Sequence, residues 1–198
     1  MLILFLMLRL FWKIWWKIHR WKFNGKYPYH IKKMLLIVAP HTSWKDILVG
    51  LAARSMLKAN IKFLGKKELF EGPFGWLFRW QGGTPVDRFS SHGVVEQVVD
   101  KFNSQEEFVL SMAPEGTRKK VDRLRTGFYH IALKAKIPIL MVGFDFSNKQ
   151  VVFSEPLILS GNEADDMQKI ISFFAPIKGK HPEQGLQHLK KDALFNNS

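Results

Sequence analysis

Short apolar runs of strand length alternate with stretches of helical spacing along most of this chain. The run at residues 34–39 predicts a buried strand that leads straight into a polar loop containing His41. Ile47, Leu48, Leu51 and Ala52 then recur at helical spacing, which predicts a helix at about 45–57. A short strand at 61–64 precedes the aromatic segment "ELFEGPFGWLFRWQGG", whose glycine and proline predict a loop plus a short helix. Residues 84–86 form a brief strand, and Val94, Val95, Val98, Val99 and Phe102 give the next helix its apolar face, with Ser90 or Ser91 as its cap. A strand at 108–112, a helix at about 124–135 built on Leu124, Phe128, Ile131, Ala132 and Ala135, and a strand at 137–143 follow. Residues 150–153 add an edge strand, and the polar tail from His181, with Pro182 as a helix start, reads as a surface helix or a fraying end.

Strands that alternate with helices predict an α/β fold, a single αβα domain with a largely parallel central sheet and helices on both faces. In such a sheet every loop that follows a strand opens at one edge. His41, Arg88 and Glu115 each stand just after a predicted strand, so loops distant in sequence are expected to meet there.

The first 23 residues, "MLILFLMLRLFWKIWWKIHRWKF", follow a different pattern. Their unbroken apolar run, residues 1–8, is far shorter than the roughly 20 residues that cross a bilayer, and no small-residue cleavage site follows. At helical spacing Arg9, Lys13, Lys17, Arg20 and Asn24 fall on one narrow stripe, while Leu, Ile, Phe and Trp cover most of the remaining circumference. Cations on one stripe flanked by Trp12, Trp15, Trp16 and Trp21 suit an amphipathic helix lying deep in a membrane interface, where Arg9, Lys13, Lys17 and Arg20 reach the phosphates. An ordinary amphipathic helix covering the core, and a true span with a basic inner end, are the other readings. This gives a membrane-associating segment at 1–24 and a catalytic domain at 25–198.

Composition narrows the partners. The 198 residues suffice for one domain with a core, and 30 Lys and Arg against 17 Asp and Glu leave a net charge of +13, suited to polyanions or an anionic membrane face. The absence of cysteine excludes disulfides, a thiolate nucleophile and a cysteine-ligated metal. Aromatic residues sit mostly among Leu and Ile rather than between basic residues, and no nucleic-acid-binding motif is present, so nucleic acid is not the expected partner.

Three segments carry chemistry. In "APHTSWKD", Asp46 in the first turn of a helix can reach back to His41, fix its tautomer and support the imidazolium, leaving the other ring nitrogen to take a proton from a hydroxyl. No set of ligands at metal-binding spacing accompanies the pair. "GGTPVDRF" and "APEGTRKK" place Arg88 and Arg118 at strand ends, where two guanidinium groups suit bidentate capture of a phosphate. Phe70, Phe74, Trp76, Leu77, Phe78 and Trp80 either wall an apolar channel, contact lipid or pack the core.

Taken in order, "HTSWKD", "GTPVDR", "PEGTR" and "IPILMVGF" resemble the four motifs of the glycerolipid acyltransferases, most closely the 1-acylglycerol-3-phosphate (lysophosphatidate) type, across about residues 35–143. The resemblance implies His41 as general base with Asp46 as its partner, and Arg88, Glu115, Gly116, Thr117 and Arg118 around the acceptor. It implies a lysophospholipid acceptor, an acyl-CoA or acyl carrier protein donor as co-substrate, no cofactor and no metal. It also implies association with a phospholipid membrane, expected at the cytoplasmic face of the inner membrane. A different lipid acceptor (an amino-acid lipid, an ether lipid or a glycan-lipid precursor) and a non-catalytic basic membrane or nucleic-acid binding module are the rival readings. His19, His30, His92, His130, His181 and His188 show no partner in the sequence and read as structural or surface residues.

Overall fold

The computed structural model describes residues 2–66, 68–73, 75–80, 82–86 and 93–189. In chain order the first elements are helix α1 (Leu2–Ile18), strand β1 (Lys22–Asn24), strand β2 (Lys33–Ala39), helix α2 (Lys45–Leu57) and strand β3 (Ile61–Lys66). Two short helices, α3 (Glu68–Glu71) and α4 (Gly75–Trp80), precede strand β4 (Gly83–Val86). Helix α5 (Val94–Ser104), strand β5 (Phe108–Met112), helix α6 (Gly127–Ala135), strand β6 (Ile139–Asp145), strand β7 (Gln150–Phe153) and helix α7 (Glu163–Phe174) complete the layers. A single 3₁₀ turn, Pro182–Gln184, stands where the sequence suggests a helix start.

The sheet runs β1-β7-β6-β2-β5-β3-β4. From β6 to β4 the strands are parallel, with Leu35 of β2 opposite Leu110 of β5 and Ile139 of β6. Strand β7 is antiparallel to β6, and β1 lies parallel to β7. The expected edge position of β7 is therefore corrected, because the three residues of β1 cover its outer side and take the edge themselves.

Alternation along β2 explains the two layers. Leu35, Ile37 and Ala39 point into one core with α5, α6 and α7, while Met34 and Leu36 point into the other with α1 and α2. A strand buried on both faces needs apolar residues throughout, which is why β2 reads as one continuous run. Helix α2 follows the predicted bounds closely, burying Val49, Ala52, Ala53 and Leu57. The expected cap of α5 at Ser90 or Ser91 lies outside the described residues; Gly93 is its N-cap. Leu124 is buried as expected, but α6 itself begins only at Gly127.

The N-terminal segment departs from expectation in two ways. Helix α1 ends at Ile18, and Arg20 adopts a left-handed φ of 56°, so Arg20 and Asn24 leave the cationic stripe and β1 joins the sheet. The boundary expected at residue 24 thus falls within the folded unit. More consequentially, Trp12, Trp16 and Trp21 are buried with Val49, Ala52, Val142, Phe144 and Phe153, and Trp15 is half-buried. These tryptophans were expected at a membrane; instead α1 lies on α2 and uses its largest side chains to close the core. From residue 7 onward its exposed apolar residues are Met7, Leu10, Phe11, Ile14 and Ile18, which at about 100° per residue form one stripe beside the cations Lys13 and Lys17. Among the described residues no helix is long and apolar enough to cross a membrane.

Candidate active site

Adjacent strands β2 and β5 send their chains to opposite faces of the sheet, β2 into α2 and β5 toward α6. The crevice between two such loops, at the carboxyl ends of the strands, is where open α/β sheets bind ligands. His41 and Glu115 meet there, 74 residues apart in sequence.

The His41 loop is held by one carboxylate. Asp46, in the first turn of α2 and 2% exposed, accepts from the backbone N–H groups of Thr42 and Ser43 with its Oδ2, both at 2.9 Å. The same oxygen lies 2.9 Å from His41 Nδ1. An imidazole nitrogen facing a carboxylate carries the proton, so Nε2 retains its lone pair. The His41 side chain remains 23% exposed. The pairing expected from sequence spacing is present.

Glu115 does something the sequence does not announce. Both its carboxylate oxygens lie within reach of the His41 backbone N–H, at 2.9 and 3.1 Å, and the side chain is 2% exposed. Burial pushes its pKa up to about 7; the His41 amide and the His41 ring oppose that rise, and the Asp46 charge adds to it. Glu115 thus bonds the His41 loop with its carboxylate while the residue also borders the cleft beside that loop.

Gly116 and Arg118 of the "PEGTR" loop are exposed and Thr117 is half-buried. Gly116 has a φ of 66°, and Arg125 lies so close against it that a Cβ would stand 2.6 Å from Arg125 Nε. Only glycine combines that backbone with that approach. Thr117 lines a cleft of about 590 Å³ together with Glu115, Val121, Arg123, Leu124, Arg125, Thr126 and Gly127. Arg118, Arg123 and Arg125 are exposed. Arg123 and Arg125 line the cleft, and two guanidinium groups there can bind an anion bidentately. Arg88 and Phe74 lie outside the described residues; Phe70 is buried, whereas Trp76 and Trp80 are exposed.

Sequence reasoning overlooked Thr42, whose amide fixes Asp46, and the Glu115–His41 bond. For Thr42 the only local signal was its place between His41 and Asp46; for Glu115 there was none beyond the strand-end position. Among the described residues no three His, Asp or Glu side chains converge as a metal site.

Comparison with known proteins places these loops in context. The family model for acyltransferases matches residues 20–145. Over 133 residues the chain is 32% identical to the 1-acyl-sn-glycerol-3-phosphate acyltransferase of Streptococcus pneumoniae, an alignment covering 63% of this chain and 49% of that protein. The chain thus spans about half the length of the curated relative it matches. The crystal structure of the 1-acyl-sn-glycerophosphate (LPA) acyltransferase PlsC from Thermotoga maritima superposes with a TM-score of 0.53 at 18% identity, covering 85% of this chain and 76% of that one. At that identity the likeness establishes the shared fold.

Proposed function

Because the chain belongs to the acyltransferase family, we propose that it transfers a fatty acyl group from an acyl-CoA or acyl carrier protein thioester to the hydroxyl of a lysophospholipid, lysophosphatidate giving phosphatidate. One observation carries this reading: His41 Nδ1 stands 2.9 Å from a carboxylate that is itself locked by two loop amides, leaving Nε2 open.

In the proposed step Nε2 of His41 takes the hydroxyl proton as the acceptor oxygen attacks the thioester carbonyl. The tetrahedral intermediate collapses with loss of the thiolate, and the imidazolium returns its proton to sulfur. Asp46 supports the imidazolium while it exists. Arg118, with Arg88 by resemblance, binds the acceptor phosphate. Trp44 and Ile47, exposed at the start of α2 beside His41, are placed to meet the acyl chain or the lipid surface. The test is thioester consumption from a panel of acyl-CoA and acyl carrier protein donors. Release that depends on lysophosphatidate and yields phosphatidate supports the reading; no acceptor-dependent release from any donor in well-folded protein sinks it.

The same reading puts the exposed stripe of α1 in the lipid interface, with Lys13 and Lys17 at the phosphates. The two sides of α1 then respond differently to substitution. Phe11→Glu combined with Ile14→Glu lowers binding to anionic vesicles about tenfold or more while the unfolding temperature holds. Trp16→Ala has the reverse signature, losing about 3–5 kcal/mol of stability through the cavity it opens in the core. Vesicle sedimentation and thermal melts separate the two, and vesicle binding that survives the double glutamate variant rules out this face.

A further inference from the structure

Residues 176–189 lie beyond the region matched by the family model and fold back over the loops that carry the proposed site. The sequence suggested a surface helix or a fraying end from His181, yet Leu186 and Leu189 are buried in the core beneath α5, α6 and α7. Ile177 is buried against Gly143 of β6, and the Lys178 carbonyl accepts from the Phe146 N–H at 2.9 Å. His188, which showed no partner in the sequence, places Nε2 2.8 Å from the Val121 carbonyl, on the loop that follows Glu115. The segment is a strap anchored at several points along its length.

Its middle rests on the His41 loop. Gly179 lies so close to that loop that a Cβ would stand 2.6 Å from Thr42 Oγ1 and 3.1 Å from Pro40 Cγ. Two residues on, the His181 backbone N–H donates to Thr42 Oγ1 at 3.1 Å. Thr42 is 4% exposed, and its own N–H is one of the two that fix Asp46 Oδ2. A continuous path of contacts therefore runs from the strap through Thr42 to Asp46 and on to His41 Nδ1.

We propose that the C-terminal strap positions the His41–Asp46 pair by clamping Thr42, so that Gly179 and Thr42 are positioning residues for the reaction although neither touches substrate. Thr42 sits between the two members of the pair, so a shift of its backbone moves the amide on which the Asp46 carboxylate depends. Gly179 has no side chain because there is no room for one above Thr42. The proposal rests on the acyl-transfer reading for its consequence in turnover, and its structural content is measurable without turnover.

Three variants test it in the full chain. Thr42→Val keeps the shape and the backbone amide but removes the oxygen that accepts from His181; Thr42→Ser restores that oxygen; Gly179→Ala forces a methyl against the loop. The first readout is the downfield proton NMR signal of the His41 Nδ1–H, assigned by its loss in His41→Gln. The second is kcat and KM for acyl transfer. Thr42→Val and Gly179→Ala are expected to weaken or shift that signal and to lower kcat about 10- to 100-fold with KM nearly unchanged, and Thr42→Ser to stay near wild type in both. Melting curves identify any variant that has lost its fold, and if Gly179→Ala is one, the Thr42 pair decides. A folded Thr42→Val protein with the signal in place and kcat within about twofold of wild type overturns the proposal. If the wild type transfers no acyl group while the signal still depends on Thr42 and Gly179, the positioning role stands and the acyl-transfer reading falls.

Discussion

His41→Ala lowers acyl transfer by about 10² to 10⁴ at saturating substrates, the contribution of a positioned general base. The substitution leaves substrate contacts in place, so the loss falls on kcat more than on KM. Asp46→Asn comes close to it, with a loss of about 10²-fold or more, for a different reason. An asparagine oxygen still accepts from the Thr42 and Ser43 amides, so the loop keeps its shape. It brings no charge to the imidazolium, which loses the support that the carboxylate Oδ2 gives it. Since the two residues act as one unit, the double variant is expected to be no more than about tenfold worse than His41→Ala alone. Steady-state rates on detergent-solubilised protein, with melting curves to establish folding, decide the point. Losses that multiply across the double variant would mean that Asp46 acts independently of His41.

The second large effect is on stability and depends on pH through Glu115. Its carboxyl is raised from an ordinary value near 4.5 to about 7, chiefly by burial, so the folded state holds its proton more tightly than the unfolded chain does. The resulting stabilisation is fully present below about pH 4.5 and is lost as pH rises toward 7, a change of about 3 kcal/mol. Asp46 and His41 are the titratable groups that face it, Asp46 raising the midpoint and His41 lowering it. Glu115→Gln keeps an oxygen for the His41 N–H without the charge. Denaturant unfolding from pH 4.5 to 8 should then show the variant losing this one contribution to the pH slope and becoming the more stable protein above pH 7. Identical slopes for the two proteins across that window would mean that Glu115 titrates as an ordinary surface acid. Glu115→Ala is the contrasting case: it removes the same titration but also leaves the His41 amide without an acceptor, so it is expected to be about 1–3 kcal/mol less stable than Glu115→Gln throughout the window.

Several elements were legible in the chain because their signal is local. The apolar run of β2, the helical spacing of α2, and a histidine five residues ahead of an aspartate all depend on neighbours within two turns. Helix α7 is not among the elements expected from the sequence, although Asn162 caps it through the Asp165 N–H and Met167, Ile170, Ile171 and Phe174 recur at helical spacing. Strand β1 had almost no local signal, since three residues cannot display an alternation.

By itself the sequence determined the layered α/β fold, the His41–Asp46 pair and the family, because periodicity and motif spacing survive without knowledge of what lies opposite. Tertiary structure alone decided which side of α1 faces protein, what Glu115 bonds to, and where residues 176–189 run. A helix that is apolar over most of its circumference offers several faces of similar hydrophobicity, and the position of α2 and the sheet selects among them, burying Trp12 and Trp16 and leaving Phe11 and Ile14 outside. A buried carboxylate bonds to whichever donor the fold brings within 3 Å, and for Glu115 that donor is 74 residues away. Gly179 is a glycine on account of Thr42, a residue that no pattern near position 179 can indicate.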